Sequence, residues 1–145
     1  MKFPQPVHYS REEGPGWKIN DWETANKLLS YFGLKGNSFI CFEKPDGSYF
    51  QCAGSKKSLT AEARLYQSSK HFQHVVFGRN ALKNETLQIH TTSYPIDIDS
   101  SQELTMRHVR LLIRPWLEDC TFPDGFIITD VTARFSENLA VAVKT

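Results

Sequence analysis

Two runs of strand-forming residues, Ser38-Phe39-Ile40-Cys41-Phe42-Glu43-Lys44 and Ser48-Tyr49-Phe50-Gln51-Cys52-Ala53, flank Pro45-Asp46-Gly47. This β-hairpin constrains the fold more than any other feature of the chain. A two-residue turn at Asp46-Gly47 would pair positions summing to 93, setting Phe42 opposite Gln51 and Glu43 opposite Phe50 and mixing polar with apolar on both faces. With Pro45 and Asp46 as the central turn residues and Gly47 at a left-handed bulge, the sum is 92 and Ile40, Phe42, Phe50 and Cys52 share one apolar face. That register also spares Pro45 a ladder N–H it does not have. Cys41 then faces Gln51, which argues against a disulfide between Cys41 and Cys52.

More strands follow without an intervening helix. Leu59, Ala61, Ala63 and Leu65 alternate with Thr60, Glu62, Arg64 and Tyr66, the pattern of a strand with one buried and one polar face. Further strands are predicted over residues 72–77, closed by Gly78, and over 86–92. Strands joined by short connections pair antiparallel. The predicted fold is therefore α+β: an antiparallel meander of about five or six strands, with two main helices packed on one face.

The first helix is expected over residues 21–32, opened by Asn20 with Glu23 three residues on, with Trp22, Ala25, Leu29 and Phe32 at helical spacing and Gly33 closing it. For the second, Thr105 supplies the cap, and Leu104 with Val109 a hydrophobic staple. Val109, Leu112, Ile113, Trp116 and Leu117 form its apolar stripe, and Pro115 should kink or end it. Beyond Pro123-Asp124-Gly125, residues 126–131 read as one more strand.

A chain of 145 residues without internal repeats suits a single domain, 1–145. Within it, residues 1–16 read as an extended N-terminal arm lying over the domain, 17–137 as the core, and 138–145 as a tail or edge strand. No secretory signal and no membrane-spanning run is legible, so the expectation is a cytosolic protein with no membrane partner. Three cysteines without a CxxC pair, Cys41, Cys52 and Cys120, read as reduced structural thiols.

Lys and Arg number 17 and Asp and Glu 16, a balance that gives no basic field to attract nucleic acid. His71 and His74 make an HxxH pair, but positions three apart on a strand point to opposite faces, so no metal site is expected. His8, His90 and His108 lack ligand-type neighbours. No HExxH, Walker loop, GxSxG or GxGxxG occurs. Thiols in apolar strands are disfavoured as thiolates. Asp97 and Asp99 share a strand face, but alternation with Ile96 and Ile98 explains that as an ordinary edge. No catalytic residue and no cofactor is assigned.

Two surfaces are candidates for partner binding. The first is the polar face of Thr60, Glu62, Arg64 and Tyr66 with Tyr49 on the neighbouring strand: Tyr and Arg are enriched at binding hot spots, though an open sheet face also carries them. The second is Arg107, Arg110 and Arg114, a basic stripe on helix two suited to a carboxylate-rich or phosphate-bearing partner. A solvated helix face is the simpler explanation of that stripe. Nucleic-acid binding through it would weaken steeply with salt.

The order of a Trp22 helix, the hairpin segment Asp46-Gly47-Ser48-Tyr49-Phe50-Gln51, the strand Leu59-Thr60-Ala61-Glu62-Ala63-Arg64, then His71-Phe72, Leu104-Thr105 and Pro123-Asp124-Gly125-Phe126 through Asp130-Val131-Thr132 resembles small bacterial immunity proteins of polymorphic toxin and contact-dependent inhibition systems. The resemblance spans most of the chain after Gly16. It implies a non-enzymatic α+β protein that binds a cognate toxin domain in the cytosol and blocks its active site or substrate access. Inhibitors of basic nucleases often present an acidic surface, and the near-neutral balance departs from that: either acidic residues such as Asp97, Asp99 and Glu103 cluster locally, or the toxin is not strongly basic. The competing expectation is a small-molecule-binding or hydrolytic enzyme with a pocket between sheet and helices.

Overall fold

A computed structural model describes residues 2–33, 37–79 and 85–135. The strands are β1 (Lys2–Arg11), β2 (Trp17–Asp21), β3 (Phe39–Glu43), β4 (Tyr49–Ser55), β5 (Ser58–Ser68), β6 (His71–Gly78), β7 (Thr86–Ile89), β8 (Ile96–Asp99) and β9 (Ile127–Asp130). The helices are α1 (Trp22–Leu29) and α2 (Met106–Asp119). The main sheet has seven strands in the order β2-β1-β3-β4-β5-β6-β9, all antiparallel, while β7 and β8 form a separate two-stranded ribbon. The α+β class is as expected, but the sheet exceeds the five or six strands read from the sequence.

The hairpin register is the one argued from Pro45. Ile40 pairs with Cys52, Cys41 with Gln51 and Phe42 with Phe50. Gly47 donates its N–H to the Lys44 carbonyl at 2.9 Å and takes φ of +94°, the left-handed bulge position that favours glycine. The three cysteines are free.

The sequence reading is corrected at three places. The N-terminal segment is not an arm lying over the domain but strand β1, paired with β2 on one side and β3 on the other. Phe3, Val7 and Tyr9 are buried at period-2 positions, and the register breaks between Lys2 and Val7, where Pro4 and Pro6 have no N–H to give. Residues 86–92 do not continue the meander; β7 pairs with β8. The cap of α1 is Asp21, whose carboxylate accepts the Thr24 N–H at 2.8 Å, in place of Asn20, and the helix ends at Leu29. Of the two outcomes expected at Pro115, a kink or an end, the end does not occur: α2 runs on to Asp119. The predicted tail or edge strand over 138–145 lies outside the described residues.

The core fills one face of the main sheet. Ile40, Phe42, Phe50, Cys52, Ala61, Ala63, Val75 and Phe77 meet the expected α2 stripe of Val109, Leu112, Ile113, Trp116 and Leu117, with Trp22, Ala25, Leu28 and Leu29 of α1. Leu104 and Val109, the staple pair, are both fully buried, and the Thr105 N–H donates to His108 Nδ1 at 3.0 Å to complete the cap. Each such buried side chain contributes roughly 1.5–3 kcal/mol of transfer free energy. With one face sealed by helices, the opposite face of the sheet is free to carry polar residues. No helix among the described residues is long and apolar enough to cross a membrane.

Candidate functional site

Strand alternation places Tyr49 and Gln51 of β4, Thr60, Glu62, Arg64 and Tyr66 of β5, and Phe72, His74 and Val76 of β6 on the outer face. Cross-strand register sets Tyr49 beside Arg64, Gln51 beside Glu62, Arg64 beside His74 and Tyr66 beside Phe72. Four of the seven residues singled out from the sequence therefore meet: Tyr49, Glu62, Arg64 and Tyr66.

Their arrangement is held by His74, which the sequence did not mark. Arg64 Nε donates to His74 Nδ1 at 3.0 Å, and a guanidinium has no acceptor, so Nδ1 carries no proton. The proton sits on Nε2, which donates to Glu62 Oε2 at 3.0 Å. The amide of Gln51 donates to Glu62 Oε1. Burial acts to raise the Glu62 carboxyl, but the bonds from His74 and Gln51, with the nearby Arg64 charge, outweigh it and hold Glu62 below the usual carboxylate range. Burial likewise raises the Tyr49 phenol, against the pull of Arg64.

Arg64 is also gripped by rings. Its guanidinium carbon lies 4.1 Å from the Phe72 centroid, 4.5 Å from that of Phe135 and 5.7 Å from that of Tyr49. Phe135 arrives from a 3-10 turn over Thr132–Phe135 that is pinned to β6: the His74 N–H donates to Thr132 Oγ1 at 2.9 Å, and Asp130 accepts from Thr132 N at 2.8 Å and from Gln73 at 3.1 Å.

Beside this cluster the β7–β8 ribbon folds over the sheet and roofs a cavity of about 380 Å³. Gln51, Ala53, Thr60, Glu62 and Val76 form its floor, Ile96, Asp97 and Ile98 its roof, Glu12, Ser38 and Tyr94 one end, and Arg134 the other. The Glu12 carboxylate anchors the loop leading to the roof, accepting from Ser38 N at 3.2 Å, Ser38 Oγ, Thr92 Oγ1 and Ser93 Oγ. These donors, Thr92 foremost, hold Glu12 below the usual carboxylate range. The pocket expected between sheet and helices is thus displaced to the opposite face, because the helix side is filled by the α2 stripe. A smaller hollow of about 270 Å³ lies beside Lys44 and Cys120 at the end of α2.

The remaining predicted residues stand on the far side of the molecule. Arg107 is exposed; Arg110 donates to Asn26 Oδ1 of α1 at 2.9 Å; Arg114 pairs with Glu118 at 3.1 Å and lies 5.2 Å from the Trp22 ring. Two of the three arginines thus bind within the helix layer. The acidic cluster suggested for Asp97, Asp99 and Glu103 is not assembled either: Asp97 lines the cavity, Asp99 caps the 3-10 turn Ser100–Gln102, and Glu103 accepts from Ser58 Oγ at 2.7 Å.

Burial drives the Cys41 thiol up to about 12, with Glu43 and Glu62 adding to the effect, and drives Cys52 higher still. Both are poor nucleophiles at neutral pH. Among the described residues no group of three His, Cys, Asp or Glu side chains is placed to hold a metal ion. His71 and His74 diverge: His71 is exposed beside Ser68, and His74 is buried.

Fold and site together define an α+β protein with a seven-stranded antiparallel main sheet, helices sealing one of its faces, and a preorganised Arg/aromatic cluster on the other, next to a polar groove under the β7–β8 ribbon. No family model, no curated protein and no solved structure matches the chain.

Proposed function

We propose that this protein is an immunity-type binding protein that recognises a cognate bacterial toxin domain in the cytosol through the outer face of its sheet and neutralises it by covering the active site or substrate path. The observation that carries this reading is Arg64, held by His74 and stacked by Phe72 and Phe135, with Tyr49 and Tyr66 beside it. Arginine and tyrosine dominate binding hot spots, and a side chain already fixed in the free protein loses little entropy on docking. The stripe of Arg107, Arg110 and Arg114 receives less support, since Arg110 and Arg114 are engaged with neighbours.

A second reading, a small-molecule site, is favoured by the 380 Å³ cavity, which falls in the ordinary ligand-pocket range of roughly 300–1,000 Å³. Hydrolysis in it has weaker support. His74 has both ring nitrogens committed, and the two strand thiols are held protonated.

The test is titration calorimetry against a toxin domain encoded immediately upstream of this chain, if one exists, together with growth rescue on co-expression. The expected result is nanomolar one-to-one binding and protection, both lost on Arg64→Glu. A folded protein that neither binds nor protects overturns the proposal.

A further inference from the structure

The groove under the ribbon has a chemistry of its own that the Arg64 cluster does not explain. Its lining carries three carboxylates, Glu12, Glu62 and Asp97, against the single guanidinium of Arg134. The donors that fix Glu12 are hydroxyls and a backbone N–H, and those that fix Glu62 are an amide and a neutral imidazole. Neutral donors stabilise Glu12 without cancelling its charge, Glu62 has the Arg64 charge nearby in addition to its neutral donors, and each carboxyl is held below its usual range. Apolar side chains share the lining, Ala53 and Val76 on the floor beside Gln51 and Thr60, and Ile96 and Ile98 on the roof. A cavity between the two sheets whose lining sets apolar side chains among carboxylates matches an aliphatic stem that ends in a cation.

We propose that this groove binds an alkylguanidinium or alkylammonium group, as carried by a basic side chain of a peptide or by a free polyamine. The inference does not depend on the toxin-binding reading, since it concerns a different ligand, although the groove and the Arg64 cluster share Glu62 on the outer face of the sheet. Each Glu62 oxygen accepts one bond and has a lone pair left, so Glu62, with Asp97, can add charge-assisted hydrogen bonds to the incoming head. The apolar walls accept the methylene stem, as they do for snorkelling lysine and arginine within proteins.

The experiment is an amide-resolved NMR titration of the full chain with Nα-acetyl-arginine methylamide, set against the neutral citrulline analogue. Saturable shifts confined to Gln51, Asp97, Ile98 and their neighbours are expected, with the citrulline analogue at least about tenfold weaker. Glu62→Gln should weaken binding about tenfold, and Asp97→Asn, an exposed position that does not threaten folding, about threefold. Spermidine separates the two sources: tighter binding than the arginine probe points to a free polyamine, weaker binding to a peptide-borne side chain. Equal affinity for the citrulline analogue, shifts elsewhere on the surface, or no binding at millimolar concentration overturns the proposal. If the groove fails this test while Arg64→Glu still abolishes toxin binding, only the groove inference is lost.

Discussion

At the residue scale, the chain's most consequential side chain is His74, because it joins Glu62 and Arg64 into one unit. With Nδ1 accepting from Arg64 and Nε2 donating to Glu62, the ring is neutral and both neighbours are oriented. Removing the charge at Glu62 exposes the logic. The folded pKa of Glu62 lies below its ordinary value of 4.5, so as pH falls the unfolded chain takes up this proton before the folded chain does. The stabilisation is therefore complete above about pH 4.5 and is lost as pH drops through the folded value. Glu62→Gln should lower stability near neutrality by about 1–3 kcal/mol, since an amide cannot accept from both donors, and should flatten the pH dependence of stability below 4.5. Urea unfolding across a pH series checks this; an unchanged slope would show that the network does not hold the carboxylate. Glu62, Arg64 and Tyr49 were legible from strand alternation alone. His74 was not, because its place depends on the β5–β6 register, which a bulge between Tyr66 and Ser68 shifts. The alternation of Phe72, His74 and Val76 was the available signal.

At the element scale, turn chemistry and helix patterning carried the sequence reading, and partner choice between strands escaped it. The Pro45-Asp46-Gly47 hairpin and the α2 stripe were fixed by local rules: the missing proline N–H, a left-handed glycine, and apolar residues at helical spacing. The ribbon was misplaced because four-residue strands such as β7 carry no mark of which sheet they join. Gly54 is where the structure records that choice. It has φ of +129°, and a Cβ built there would lie 2.5 Å from the Ser58 carbonyl oxygen and 2.6 Å from Ile89 Cγ2 of the ribbon. Gly54→Ala is therefore both strained and obstructed, and should destabilise the protein by about 1–3 kcal/mol. It should also push the ribbon off the sheet, so faster amide exchange in β7 and β8 than in β5 is the specific readout. Exchange accelerated evenly through all strands would mean that the ribbon is not seated through Gly54.

At the scale of the whole molecule, the topology explains why one side can be a core and the other a recognition surface. Strand β1 enters the sheet beside β3, and β9 returns after α2 to pair with β6, so the first and last described strands flank the central hairpins, and both helices fall on a single face. These long-range pairings leave no local pattern, which is why the N-terminal segment read as an arm although Phe3, Val7 and Tyr9 already alternated. The consequence for function is separation. The Arg64 cluster and the Arg107 stripe lie on opposite sides of the sheet, so a partner small enough to cover one surface does not reach the other. Charge reversal distinguishes them: Arg64→Glu places a carboxylate against Glu62 within a ring-lined cluster and should weaken binding of the proposed toxin partner about a hundredfold, the scale of a hot-spot loss. Arg107→Glu, on an exposed position of α2, should change binding less than about twofold, as rim charges do. The opposite ranking in a calorimetric titration would move the interface from the sheet to the helices and leave the Arg64 cluster a stabilising feature of the fold.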